Sequence, residues 1–348
     1  MNRISKYARI SIFQMHRMVC LSVGLLFMAC AEQKPAPQQK VESFPVEKSL
    51  FAERVKVNEV FSLSKMMCKG DYLFVSDARS NENLIHQYSL PDFNCVYEGG
   101  SKGQAEDEFQ IFPVFCNTLA DKVYIWGYTM FSVKSFTLNN AGQLSFERKY
   151  DLPISGDMYN DIHVVRDSIL VMNEVSQLAI KKINLNNQQI IGEIKFKKDE
   201  HNESFFCENS GYMAANDSLI VYAYRYKKQI DIYDMGDMKL KKKLVGDEIA
   251  PHIVLYDPES TVYRNYGIFA GKDYFYVWCP GKWGVKNGCS VEVYDYSGGS
   301  IAKYELDAML TTFTVDERNG AIYGYAGGVF EDGFMRYIFQ HRLIQTDK

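Results

Sequence analysis

Apolar residues in this chain come in short runs with the spacing of strands, not in the 3.6-residue rhythm of helices. The run YLFVSD at 72–77 returns in degenerate form as VYIWGY at 123–128, ILVMNE at 169–174, LIVYAY at 219–224, YFYVWC at 274–279 and IYGYAG at 322–327. Their starts lie 51, 46, 50, 55 and 48 residues apart. A near-constant period of this size marks stacked units or propeller blades. A second element comes 10 to 17 residues after each start, with apolar residues at i, i+3 and often i+5. Its copies are Ile85/Tyr88/Leu90, Val133/Phe136/Leu138, Ile180/Ile183/Leu185, Ile230/Tyr233/Met235 and Val291/Tyr294/Tyr296, with a weaker sixth at Ile338/His341/Leu343.

Each second element runs into a tight turn: PDFN at 91–94, NNAGQ at 139–143, NLNNQ at 184–188, GDMK at 236–239 and SGGS at 297–300. Asn, Gly and Asp reach positive φ at little cost, as hairpin connections require. A third strand succeeds each turn, and there is room for one more before each YLFV-type strand, as at 60–67 and 111–117. The expected fold is therefore all-β, a six-bladed β-propeller with four antiparallel strands per blade. After Leu343 only five residues remain, too few for a last outer strand. Residues 49–57, SLFAERVKV, belong to no complete repeat and are expected to supply it, closing the ring in the last blade.

Hydrophobic content of 47% and aromatic content of 14% suit a large strand-built core. Residues 1–29 read as a lipoprotein signal peptide: Arg3, Lys6, Arg9 and Arg17 precede the apolar run 18–28, which ends at Phe27-Met28-Ala29-Cys30. That run is 11 residues, too short to span about 30 Å of hydrocarbon as a helix. Cys30 would be the lipidated residue, 30–48 a tether, and 49–348 the propeller. Loss of 1–29 removes four basic and no acidic residues, leaving 35 basic against 43 acidic and a formal charge of −8. That balance argues against nucleic acid as a partner.

Candidate chemistry is sparse. The five histidines after the leader are dispersed, no CxxC occurs, and no cofactor or metal is expected. Cys279 and Cys289 end one strand and open its partner, making them a candidate disulfide; Cys68, Cys95, Cys116 and Cys207 read as buried free thiols. Gly99-Gly100-Ser101-Lys102-Gly103 fits G-x-S-x-G, but residues 104–109 form an acidic crossing and not the helix a nucleophile elbow needs. The lysine run 239–243 reads as a solvated outer strand. Strand alternation puts the exit loops of the YLFV-type strands and the inter-blade crossings on one face, the tight turns on the other. Variable loops on a rigid scaffold are where binding resides. The expected ligand-binding residues are therefore Asp77, Arg79, Tyr128, Glu174, Tyr224, Arg225 and Trp283.

The FMAC sequence at 27–30, the six repeats and the crossing GGSKG…EF at 99–109 together resemble the TolB-like six-bladed propeller lipoproteins of Bacteroidetes. Gln104-Ala105-Glu106-Asp107 departs from the Gly/Pro filling usual in that crossing. The resemblance implies an outer-membrane lipoprotein of the cell envelope, and, the family having no assigned activity, it carries over no functional residues. The expected function is non-catalytic binding of a protein, peptide or glycan, with membrane contact through the lipid. The alternatives are an envelope hydrolase or lyase with acids at the channel mouth, and a structural subunit of an outer-membrane complex.

Overall fold

The computed structural model describes residues 36–339, apart from 58–61, 81, 128–130, 155–157, 197–204, 248, 255–256, 258, 283–288 and 327–332. The repeats fold as six antiparallel four-stranded sheets whose inner strands adjoin one another around a central channel. Blade one runs outward from the axis as Leu63–Lys69, Tyr72–Asp77, Ile85–Ser89 and Asn94–Gly99. The inner strands of the other five blades are Val114–Cys116, Tyr159–Val165, Gly211–Ala215, Gly267–Ala270 and Thr312–Asp316. Among the described residues the single α-helix is Phe205–Asn209, and no helix is long and apolar enough to cross a membrane.

The second strand of each blade reads as a continuous apolar run because both its faces are covered. In blade one, Leu73 and Val75 pack toward blade six while Phe74 packs toward blade two. In blade two, Tyr124 and Trp126 face blade three, and Val123 and Ile125 face blade one. An apolar cluster of this kind fills every blade-to-blade interface. Full burial of one such side chain stabilises by about 1.5–3 kcal/mol.

The tight turns share one geometry. Phe93, Gly142, Gln188, Met238 and Gly298 take φ of 55°, 74°, 57°, 57° and 90°. Beside each, the strand register shifts, as between Gln87 and Tyr88 or between Val293 and Tyr294. A left-handed residue with an adjoining bulge is a standard hairpin solution. At Gly298 any other residue would also bring its Cβ to 2.7 Å from Leu244 Cδ2.

The N-terminal segment is a belt across three blades. Gln38–Lys40 adds a parallel fifth strand to blade four, and Val46–Leu50 does the same for blade five. Glu53–Val55 then pairs antiparallel with Phe334–Ile338 as the outer strand of blade six. Ring closure by an N-terminal strand is thus observed, and three expectations change in detail. The stretch expected as tether up to residue 48 is paired from Gln38 onward. The lysine-rich stretch expected as a solvated outer strand of blade four is that outer strand, Leu240–Val245, with Lys239 and Lys241 exposed, but the belt pairs with its second half at Lys243–Val245. The third strand of blade six is Phe334–Ile338, because Phe334, Met335 and Tyr337 fill the flanking interfaces; Ile338 ends it, and 340–348 lie outside the described residues.

The Cys279–Cys289 disulfide is not formed, and the register explains why. Cys279 pairs with Ser290, so Cys289, one residue away, points to the other face of the sheet. Cys279 packs in the interface with blade four and Cys289 in that with blade six. Both are free thiols: Cys279 Sγ lies 3.6 Å from Asn265 Oδ1 and Cys289 Sγ 3.3 Å from the Ala308 carbonyl.

The belt is anchored by Arg336, whose guanidinium bonds Glu53 Oε2 and, at 3.0 Å, the Pro91 carbonyl of blade one. Deleting the chain through Val55 uncovers strand edges on three blades and leaves blade six with three strands. The expected result is a thermal midpoint lower by on the order of 10 °C and elution as aggregates. A monomeric truncation with an unchanged midpoint would contradict this role of the belt.

Candidate functional site

The channel has two mouths of different character. The mouth at the hairpins between inner and second strands opens into a hollow of about 690 Å³ lined by Lys69, Asp121, Lys272, Glu317 and Arg318. Its charges are largely spent on the fold. Glu317 accepts the backbone N–H groups of Lys272, Asp273 and Tyr274 at 2.6, 3.3 and 3.2 Å and the Tyr276 hydroxyl at 3.2 Å. Arg318 donates to Asp71 at 2.7 Å and to the Gly70 carbonyl at 2.6 Å.

The loop-bearing mouth holds a tighter cavity of about 140 Å³, walled by the inner strands of all six blades. Lys65, Phe115, Asp161, Tyr212, Tyr266 and Thr312 represent one blade each. Asp161 is the extra residue of a bulge in the inner strand of blade three, where the register skips from Asn160 to Ile162. Its φ of 46° is unusual for a residue with a side chain. Bulges re-aim side chains beside sites, and here the bulge turns a carboxylate into the channel wall. Asp161 Oδ2 accepts the Met213 N–H at 3.1 Å. Burial raises its pKa, opposed by the positive charges of Lys65 and Arg225.

Arg225 is the first residue after the second strand of blade four and organises the other wall. Its Nε donates to the Tyr212 hydroxyl at 3.0 Å, and its Nη2 reaches the same oxygen. The guanidinium lies 5.0, 5.3 and 5.9 Å from the ring centres of Tyr212, Tyr266 and Tyr226. Its backbone is tied down too, donating to Ser210 O and accepting from Arg264 N, both at 2.8 Å. From there the rings run on without a break: Tyr226 to Tyr263 at 5.5 Å, Tyr263 to Tyr266 at 5.7 Å, Tyr266 to Trp278 at 5.1 Å and Trp278 to Phe313 at 6.2 Å. Val262–Tyr263 also pairs with Gly281–Lys282, which fixes the base of the blade-five exit loop beside this wall.

The expected site residues separate under this geometry. Arg225 is half-buried behind two residues of the cavity lining, Tyr212 and Tyr266, and Arg79 is exposed on the blade-one exit loop. Asp77 is fully buried, its Oδ1 accepting the N–H groups of Ser62, Arg79 and Ser80 at 3.1, 2.9 and 3.3 Å. Glu174 is also fully buried and pairs with Lys181 at 2.7 Å. Tyr224 points into the interface with blade three, its hydroxyl donating to Asp231 at 3.0 Å. These three are structural because they face blade interiors and not the channel. Tyr128, Trp283 and Cys30 lie outside the described residues.

Asp161, Tyr212, Tyr266 and Trp278 line the cavity without having been expected there, as do Tyr226 and Tyr263 in the ring chain beside Arg225. Tyr226, two residues past Tyr224, carried the available signal: an YRY run at an exit loop. The G-x-S-x-G stretch is no elbow. Ser101 O accepts the Phe109 N–H at 3.0 Å, and Lys134 clamps the crossing by bonding Glu108 O while lying 4.4 Å over the Phe109 ring.

No family model matches the chain, and no curated protein matches it in sequence. Solved structures with a similar fold include a candidate exported protein of Bacteroides fragilis NCTC 9343, 13% identical over 87% of this chain and 99% of that one, with a TM-score of 0.55. They also include U3-55K, 7% identical over 83% of this chain and 98% of that one, with a TM-score of 0.53. At such identities the likeness is one of fold alone, and it does not establish membership of the TolB-like lipoproteins.

The inner ring carries a pH-sensitive contact next to the site. His163 is buried, with its Nε2 3.1 Å from the Met213 carbonyl and its Nδ1 accepting the Ala215 N–H at 3.4 Å. That pattern requires the neutral ring, and burial pulls the pKa from 6.5 to about 4. The unfolded chain takes up the proton first, so this contribution is complete above pH 6.5 and is lost as pH falls toward 4. About 2 kcal/mol should be gone by about pH 5. His163→Gln should lose less stability than the parent between about pH 7 and 5 in urea unfolding, and equal losses would contradict the assignment.

Proposed function

We propose that the protein is a non-catalytic binding module of the cell envelope, taking an acidic glycan or a carboxylate-bearing peptide at the loop-bearing mouth. The observation that carries this reading is Arg225 held rigidly among Tyr212, Tyr226 and Tyr266 at the end of a continuous aromatic wall. Aromatic faces stack on sugar rings or peptide side chains, and a guanidinium recognises carboxylates in a planar, two-bond geometry. The formal charge of −8 after loss of residues 1–29 makes a local cation the more selective feature. Asp161 is the one carboxylate among the described residues lining this cavity, with Lys65 the one lysine.

The reading includes attachment to the outer membrane by lipid at Cys30, on the strength of the FMAC sequence behind a basic and apolar leader. Cys30→Ser should release the protein from the membrane fraction and end incorporation of labelled lipid. Membrane retention in that variant would remove lipidation from the proposal.

Binding is tested with arrays of acidic and neutral glycans and of acidic peptides. Arg225→Ala and Tyr266→Ala should each weaken a ligand found this way about tenfold or more, corresponding to about 1.4 kcal/mol or more. Gln188→Gly, in a turn at the opposite end of blade three, should leave binding unchanged. Equal affinity in the Arg225 variant and parent proteins would place the ligand elsewhere.

A further inference from the structure

We infer a metal-binding site on blade one, formed by His86, Cys95 and Glu98 and suited to a zinc-class divalent ion. The three ligand atoms lie within 4.8 Å of one another. Their convergence depends on a bulge. Residues three apart on a regular strand face opposite ways, so Cys95 and Glu98 should diverge. The register instead steps from Gln87 opposite Tyr97 to Tyr88 opposite Cys95, leaving Val96 as the extra residue. That step puts Cys95 and Glu98 on the same face as His86, which pairs directly with Glu98.

The histidine is set for such a role. Its ring is 1% exposed, and neither nitrogen makes an aligned hydrogen bond. Nδ1 lies 3.2 Å from Glu98 Oε1, on the side where the ligands gather. Nε2 faces Asp77 Oδ2 at 4.0 Å, and the other oxygen of that carboxylate is fixed by three backbone N–H groups. A carboxylate behind the far nitrogen of a metal-bound histidine holds the ring and raises its basicity. Asp77 is thereby a positioning residue here. Imidazole, thiolate and carboxylate together suit zinc or its first-row neighbours better than calcium or magnesium. Glu98 is 42% exposed, which gives the ion a way in and leaves a fourth position for water. The ion would join the third strand of blade one to its outer strand, which among the described residues has no belt strand beside it.

The test uses the purified protein loaded with zinc or cobalt(II), dialysed and assayed for metal. One equivalent per chain is expected, with a thiolate-to-cobalt charge-transfer band in the near ultraviolet and a higher thermal midpoint on zinc addition. Cys95→Ser should abolish the band, and Glu98→Gln should remove most of the midpoint shift. Both residues are partly exposed, so both variants should fold, as circular dichroism would verify. No retained metal, or a cobalt band unchanged in Cys95→Ser, would overturn the site.

Discussion

Every blade of this protein has two apolar faces, and each needs a neighbour. A row of such blades is stable only as a ring, so the structure depends on the last blade meeting the first. That requirement is met at one place by three residues, Glu53–Val55, which complete blade six from the far end of the chain. The interface beyond it, between blades six and one, holds Leu73, Val75 and Tyr88 against Ala321, Tyr323 and Phe334. Without closure these large side chains would lie open to water, and the adjacent interfaces would lose their rigid walls.

The site arises from the same constraint. A closed ring directs its inner strands at a common axis, so one residue from each blade reaches the same small cavity. Regular alternation would have left blade three without a carboxylate there; the bulge at Asp161 supplies it. Blades four to six contribute the aromatic wall, and these are also the blades that the belt reinforces. Arg225 is held in place by hydroxyls and backbone carbonyls already fixed by strand pairing, so little ordering is left for a ligand to impose.

How much of this was legible in the sequence depended on burial. Second strands such as Tyr72–Asp77 are covered on both faces and announce themselves as apolar runs, so blade number and order could be read directly. Inner strands such as Val114–Cys116 are short, and the channel relaxes their pattern, so their limits were blurred. The belt was hidden because Gln38–Lys40 and Val46–Leu50 pair mainly through backbone and carry polar side chains. Within the site, parity decided the outcome: Tyr224 and Arg225 are adjacent, one turned into an interface and the other to Tyr212 of the cavity lining. A bulge shifts that parity by one, which is why neither Asp161 nor the grouping of Cys95 with Glu98 could be seen from spacing.

The belt also sets a schedule. Gln38 is synthesised some two hundred residues before its partner Lys243, and Arg54 before Met335 by a still longer interval. Residues 37–55 therefore lack their strand partners until blades four, five and six are in place. Blades one to three can dock on one another early, whereas ring closure pairs Glu53–Val55 with Phe334–Arg336, the most distant strand pairing among the described residues. Long-range pairing of this kind is slow, and its unpaired edges are prone to self-association. The time at greatest risk is the interval between emergence of blade five and capture of the N-terminal strand by blade six, and a chaperone that shields bare strand edges would act on this protein then.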